Sequence, residues 1–348
     1  MALNIPLLKE ICETPGAPGR EDRIRKVVIR ELDAMSLTYT IDHMGNVTCR
    51  KPGRDSAKRV LCAAHMDEIA FIIKHIDDDG FARVHTLGGF DPKTLTAQRV
   101  LVHGREDLIG VMGSKPIHLM KPEERTKAPD IHDYFIDFGM PVARVKALVR
   151  VGDVVTRERS LIEMGDCVNS KSIDNRISVF ILLEALRNMG KPAYDFYACF
   201  TVQEEVGLRG AQVVAHTINP DFGIGLDTTI AFDLPGSTDH ERVTELGKGT
   251  AIKIMDSSVI CDPRMIDFMR DTAEKHQIKW QYEILPAGGT DTAMLQRAGK
   301  NGSITGCISI PTRHIHSVIE MAHKQDVQDS IDLLVACCME LDGRNWEW

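Results

Sequence analysis

Apolar runs that alternate with helical patterns constrain the fold of this chain more than any other feature. Val60-Leu61-Cys62-Ala63-Ala64 is a continuous apolar run, as expected for a strand buried on both faces. After about residue 166, similar runs alternate with helices. The predicted helices are 173–189, 208–218, 263–276, 290–298 and 325–341, and the predicted strands are 196–202, 222–226, 280–285 and 304–310. This alternation predicts an α/β fold, a mostly parallel sheet covered by helices on both faces.

A middle segment with a different pattern interrupts the α/β part. Between residues 69 and 163, short β-rich runs recur between Gly and Asp turns, and there is little helical periodicity. This pattern is typical of a small all-β unit, either a sandwich or a barrel. We therefore predict two nested domains: a discontinuous α/β domain made of residues 1–68 and 164–348, and an inserted β domain made of residues 69–163.

Charge and cysteine content exclude several classes of partner and location. Lys and Arg number 42 and Asp and Glu number 50, a net charge of −8, and there is no basic run. This balance argues against nucleic acid or an anionic membrane as the main partner. The apolar runs are too short for a transmembrane helix, and the N-terminus lacks the pattern of a signal peptide. The 9 cysteines are odd in number, include no C-x-x-C pair and lie in several cases inside apolar runs, so we expect a reducing compartment and a cytoplasmic protein.

Residues of the types that commonly bind metals follow the predicted strands, at the point where each strand ends. They are His65 and Asp67 after strand 60–64, Glu204 and Glu205 after 196–202, Asp227 after 222–226, and His314 and His316 after 304–310. Asp174 lies at the start of the long helix. Ligands of open α/β sheets bind beyond the carboxyl ends of the strands. Histidines and carboxylates together suit zinc, cobalt or manganese, and one carboxylate can bridge two such ions.

Local spacing separates the roles of the neighbouring acids. Asp67 lies two residues after His65, so in an extended strand both side chains project to the same side, where Asp67 could accept the imidazole N–H. Glu204 and Glu205 are adjacent and point in different directions, so one can bind a metal while the other faces the substrate. Taken singly, each residue has an ordinary explanation; Asp174, for example, is the kind of residue that caps a helix.

Five motifs along the chain carry a resemblance. They are Ala64-His65-Met66-Asp67-Glu68-Ile69, Gly113-Ser114-Lys115-Pro116-Ile117-His118, Val202-Gln203-Glu204-Glu205-Val206-Gly207-Leu208-Arg209-Gly210-Ala211, Gly288-Gly289-Thr290-Asp291 and Arg313-His314-Ile315-His316-Ser317. Together they make the chain resemble the dinuclear metallo-aminopeptidases of the TET / glutamyl aminopeptidase family, some members of which were formerly called endoglucanases. The resemblance extends over essentially the whole chain, including the inserted β domain.

The resemblance implies two divalent metal ions in each subunit, zinc or cobalt ahead of manganese. The implied ligands are His65 and Asp227 for one ion, Glu205 and His316 for the other, and Asp174 as a bridge between them. Glu204 would be the general base that takes a proton from metal-bound water and passes it to the leaving amine, while Asp67 would fix His65. The implied activity is the removal of N-terminal residues from short peptides.

The resemblance also implies a homo-oligomer with a zinc-peptidase-like fold. In the family, the inserted β domain is the dimerisation domain, and dimers assemble into a hollow tetrahedral dodecamer that only peptides enter. We therefore expect dimers that build such a dodecamer.

Three positions depart from the pattern of the family. Asn175 stands where the family commonly has Asp, His314 where Tyr is frequent, and Thr292 where Ala is usual. His314 would either pack against its neighbours or line the substrate pocket, and Asp291 is expected to be structural. Two other functions stay open: an N-acyl amino acid deacylase or related amidohydrolase on the same metals, and a non-catalytic assembly subunit.

Overall fold

The computed structural model describes residues 3–347, in which two β-sheets and their helices form the fold. The helices are α1 (Ile5–Glu13), α2 (Asp22–Ala34), α3 (Pro122–Arg125), α4 (Val142–Leu148), α5 (Ile173–Asn188), α6 (Arg209–Ile218), α7 (Pro263–Lys275), α8 (Thr292–Arg297) and α9 (Lys324–Glu340). The strands are β1 (Tyr39–Ile41), β2 (Val47–Lys51), β3 (Asp55–His65), β4 (Ala70–Ile76), β5 (Ala82–Leu87), β6 (Arg99–His103), β7 (Asp107–Ser114), β8 (Tyr134–Asp137), β9 (Val154–Arg157), β10 (Ile162–Met164), β11 (Cys167–Ser170), β12 (Tyr194–Thr201), β13 (Phe222–Ile230), β14 (Thr250–Met255), β15 (Trp280–Ile284), β16 (Ile304–Arg313) and β17 (Glu320–His323).

The larger sheet has a parallel centre and antiparallel margins. Its main path runs β1-β2-β12-β3-β13-β16-β17-β11-β10, and β14 joins β16 and carries β15. The pairs β12–β3, β3–β13 and β13–β16 are parallel, as is β14–β15. The other pairs of this sheet are antiparallel. The prediction of a mostly parallel sheet is therefore correct only for the centre of the sheet, because short strands add antiparallel pairs at both of its sides.

Helices cover both faces of this sheet, and the residues of β3 alternate between them. Val60, Cys62 and Ala64 pack in the core that includes α5 and α9, whereas Leu61 and Ala63 pack on the opposite face against α6 and α8. Such two-sided burial requires a strand with no polar face, which is why its sequence is a continuous apolar run. Nearly all of α5 is buried, in keeping with its mostly apolar sequence.

The middle of the chain forms a separate, closed barrel in the order β4-β5-β8-β7-β6-β9. Its pairs are all antiparallel, so hairpins suffice to connect most of its strands. Phe71, Val100, Ile136 and Val155 are among the residues of its own apolar core. The all-β unit predicted for this stretch is thus a barrel, with strands between residues 70 and 157; the predicted domain boundaries themselves stay a prediction.

Residues 3–347 include no helix long and apolar enough to cross a membrane.

Candidate active site

The sequence-predicted residues converge at the carboxyl edge of the parallel strands. His65 is the last residue of β3, Glu204 and Glu205 follow β12 by three and four residues, and β3 lies between β12 and β13 in the sheet. Asp227 lies within β13, which continues to Ile230 and is thus longer than predicted. Asp174 enters from the first turn of α5, where its backbone is not yet helical. These elements bring side chains from distant parts of the sequence into one cluster.

The two oxygens of Asp174 face two different histidines. Oδ1 lies 3.5 Å from Nε2 of His65, and Oδ2 lies 3.2 Å from Nε2 of His316. On the His65 side, Asp227 Oδ1 lies 3.8 Å from the same nitrogen. On the His316 side, Glu205 Oε2 lies 3.6 Å from Nε2. The cluster therefore has two halves that share one carboxylate.

Glu204 adds a further carboxylate to the His65 half. Its Oε2 lies 3.6 Å from His65 Nε2, and its side chain reaches the cavity that opens above the cluster. Glu204 thus lies beside the potential ligands of one half, whereas Glu205 belongs to the other. The two neighbours thus point in different directions, and which of them binds a metal stays a prediction.

Burial and mutual repulsion shift the pKa values of the carboxyl groups. Burial raises the pKa of Glu205 to about 8, opposed by His316 and reinforced by Asp174. Burial also raises the pKa of Glu204 and of Asp227 far above the ordinary range, against the opposing charge of His65. Carboxylates crowded in this way repel one another unless a cation compensates their charge.

The donor set suits divalent cations. Ligand atoms of His65, Asp174 and Glu205 lie within 4.8 Å of one another, and so do those of His65, Glu204 and Asp227. Glu205 Oε1 is buried and has no hydrogen-bond partner within residues 3–347. Nitrogen and carboxylate donors in this arrangement are those preferred by zinc, cobalt and manganese.

Asp67 is bonded differently from the expected arrangement. Its main-chain oxygen lies 3.1 Å from His65 Nδ1, while its carboxylate Oδ1 lies 3.5 Å from that nitrogen. The carboxylate accepts the backbone N–H groups of Glu204 and Glu205, at 3.0 and 3.1 Å. Asp67 therefore contacts His65 mainly through its main chain and holds the segment of both glutamates through its side chain.

A cavity of about 460 Å³ opens above the cluster. His65, Asp174, Glu204, Glu205, Asp227 and His316 lie at its base. Apolar and small residues such as Leu285 and Gly289 contribute to its wall, together with the buried Lys253 of β14. Lys253 Nζ forms ion pairs with Asp256 at 3.0 Å and Glu283 at 2.8 Å. The cavity thus has an extended wall next to the cluster, which is the shape that a substrate site requires.

Three further residues named in the sequence analysis, Asp291, Asn175 and His314, lie around the cluster or outside it. Asp291 is buried and accepts a hydrogen bond from Thr201 Oγ1 at 2.5 Å, and its structural role stays a prediction. Asn175 Nδ2 donates to the carbonyl of Leu226, next to Asp227, at 2.9 Å. An ionised Asp could not donate this bond, so the amide supports the strand that carries Asp227. His314 is exposed and lies outside the cavity wall.

Two buried glutamates that hold the Asp174 segment were missed by sequence reasoning. Glu68 accepts hydrogen bonds from Lys171 at 2.9 and 2.7 Å, and Glu320 accepts the backbone N–H of Asp174 at 2.9 Å. Their one signal is position, since each follows a predicted ligand histidine by three or four residues.

Histidines and carboxylates that meet at the sheet edge, beside a cavity, define an enzyme-type site with a metal-binding donor set. Comparison with known proteins agrees with this class. The family model for the M42 glutamyl aminopeptidases matches residues 45–333. The lysyl aminopeptidase of Pyrococcus furiosus is 34% identical over 343 residues, which is 96% of each chain.

Solved structures resemble the chain over nearly its full length. An aminopeptidase from the archaeon Desulfurococcus kamchatkensis has a TM-score of 0.92 and 37% identity, covering 97% of this chain and 94% of that one. The TET1 peptidase of Pyrococcus horikoshii, which can assemble into a tetrahedron or a large octahedral shell, has a TM-score of 0.86 and 31% identity, covering 97% and 99%.

The chain belongs to the M42 glutamyl aminopeptidase family. The resemblance inferred from the five motifs is therefore confirmed, as is the expectation of an aminopeptidase-type hydrolase. The α/β sheet with a separate small β-barrel is likewise consistent with the TET-type fold.

Proposed function

We propose that this chain is a metal-dependent aminopeptidase that removes N-terminal residues from short peptides. The observation that carries the proposal is the position of Asp174, whose two oxygens face His65 and His316 at 3.5 and 3.2 Å. In this arrangement His65 and Asp227 would hold one divalent ion, His316 and Glu205 the other, and Asp174 both. Zinc or cobalt, and next manganese, suit these donors.

Glu204 is the proposed general base. When bound, the two ions would supply the polarisation of the scissile carbonyl and the acidity of the attacking water. Glu204 lies at the base of the cavity beside His65, where it can take a proton from that water and deliver it to the nitrogen of the leaving amine. Asp67 would position both glutamates through the backbone N–H groups that its carboxylate accepts.

A panel of substrates tests the activity and separates it from the alternatives. The purified chain, loaded in turn with zinc, cobalt and manganese, should contain two ions per subunit and cleave aminoacyl chromogenic substrates that have a free amine. Matched N-acetylated substrates should not be cleaved. Preferential cleavage of the acylated series would indicate a deacylase instead. Failure to take up any of the three metals would favour a non-catalytic assembly subunit.

We also propose that the chain forms dimers through its barrel and that these build a tetrahedral dodecamer in the cytoplasm. The assembly of the related TET1 peptidase supports the oligomer, and nine free cysteines, eight of them buried, support a reducing compartment. Light scattering on metal-loaded protein should give a mass close to twelve times that of the 38.8 kDa chain. A monomer at working concentrations would contradict the assembly but leave the proposed active site untouched.

A further inference from the structure

The segment that carries Asp174 is held from two sides, each time by a glutamate that follows a histidine of the cluster. On the His65 side, Glu68 binds Lys171 Nζ with both carboxylate oxygens and accepts the hydroxyl of Ser172 at 2.5 Å. Glu68 is 0% exposed, and Lys171 is 2% exposed. The loop that begins at His65 is thereby tied to the residues just before Asp174.

On the His316 side, Glu320 holds Asp174 itself. Oε2 of Glu320 accepts the backbone N–H of Asp174 at 2.9 Å, and the glutamate is 1% exposed. Its own main chain is fixed by the sheet, since Glu320 pairs with Ser170 in the β11–β17 ladder and its carbonyl accepts Asn169 Nδ2 at 3.0 Å. The acceptor is therefore held on a rigid strand rather than on a loop.

The bond matters because it acts on the shared carboxylate of the cluster. Asp174 Oδ2 lies 3.2 Å from His316 Nε2, and the backbone N–H of the same residue is bonded to the strand that follows His316. A shift of the Asp174 main chain would move both carboxylate oxygens relative to both histidines. Groups that orient a ligand in this manner typically change metal affinity by about 10–100-fold when they are removed.

We propose that Glu320 is a positioning residue that sets the place of Asp174 relative to His316, with Glu68 as its counterpart on the His65 side. This inference rests on the proposed function, since it presumes that Asp174 binds metal. The role requires an acceptor oxygen at the reach of a glutamate side chain. It does not depend on the negative charge as such.

Two conservative variants of Glu320 separate the effect of its side-chain length from the effect of its negative charge. Glu320→Gln keeps an oxygen at the same distance but removes the charge, whereas Glu320→Asp keeps the charge and is shorter by one methylene. If reach matters, the Gln variant retains the affinity of the parent chain for cobalt, and the Asp variant loses about 10–100-fold for at least one ion. Transfer of Co²⁺ from the loaded full-length protein to a competing chromophoric chelator measures these affinities. The visible spectrum of bound Co²⁺ reports the ligand geometry independently of activity.

Asp326→Asn is the matched control. Asp326 is also a buried carboxylate that accepts backbone N–H groups, those of Gly247 at 2.7 Å and Gly249 at 2.9 Å, but it belongs to the start of α9. This control should leave Co²⁺ affinity unchanged whatever it does to thermal stability. Equal Co²⁺ affinity and spectra in all Glu320 variants, or a Gln variant weaker than the Asp variant, would overturn the positioning role. A parent chain that binds no Co²⁺ would instead overturn the proposed function.

Discussion

The Glu204→Gln variant is expected to bind both metal ions and to have lost peptide hydrolysis, with a rate lower by about 10²–10⁴-fold, which is the usual contribution of a general base. The amide retains the size and the hydrogen-bonding oxygen of the glutamate but does not accept a proton. Because Glu204 lies beside His65 at the base of the cavity, its loss should affect the chemical step more than substrate binding. Steady-state kinetics together with elemental analysis of metals check this expectation.

The adjacent residue supplies the control for Glu204. Glu205→Gln changes a side chain that lies 3.6 Å from His316 Nε2 and is assigned to the second ion, so it should reduce metal content as well as activity. Glu204 also lies close enough to His65 and Asp227 to bind an ion with them. If Glu204→Gln lost one metal, Glu204 would be a ligand and the proposed base would be wrong. Retained hydrolysis with full metal content would contradict the assigned role directly.

The centre of the fold was predictable because its strands have no polar face. Val60–Ala64 is apolar throughout since β3 is covered on both sides by helices. Strand β14 was not predicted, because Lys253 interrupts its apolar residues. That lysine is tolerated inside the fold only through its ion pairs with Asp256 and Glu283, residues that the sequence pattern does not connect to it. The antiparallel margin formed by β10, β11 and β17 was missed because strands of three or four residues carry too little periodicity to be recognised.

Metal-binding residue types at the strand ends predicted the candidate site, whereas its supporting contacts depend on how distant segments pack in the folded chain. His65, Glu204 and Asp227 could be brought together from sequence since parallel strands share one carboxyl edge. The bonding of the Asp67 carboxylate to backbone N–H groups was not predictable, because it depends on how the loop after β12 folds back over β3. Glu68 and Glu320 were missed in the same way. Each is recognisable only through the buried groups that it contacts.

The Asp174→Ala variant is expected to bind neither metal ion. Its rate of peptide hydrolysis should fall by about 10³-fold or more, since metal assistance is worth several kcal/mol in the transition state. Asp174 is the carboxylate whose oxygens face both histidines, so each half of the cluster would lose a donor. Wild-type protein should gain thermal stability when zinc or cobalt is added, because ligands that bind the folded state stabilise it. The variant should show little such gain. Elemental analysis and thermal unfolding with and without metal measure both effects.

Asp227→Ala distinguishes a bridging carboxylate from an ordinary ligand. Asp227 lies 3.8 Å from His65 Nε2 and is assigned to one ion only, so its removal should leave the ion at His316 and Glu205 in place. The two alanine variants remove the same side chain from equally buried positions, and they therefore share the cost of deleting a buried carboxylate. One ion retained in Asp227→Ala and none in Asp174→Ala would fit a bridge. Loss of one ion in each variant would mean that Asp174 serves a single ion, and the two halves of the cluster would then have to bind their ions without a shared carboxylate.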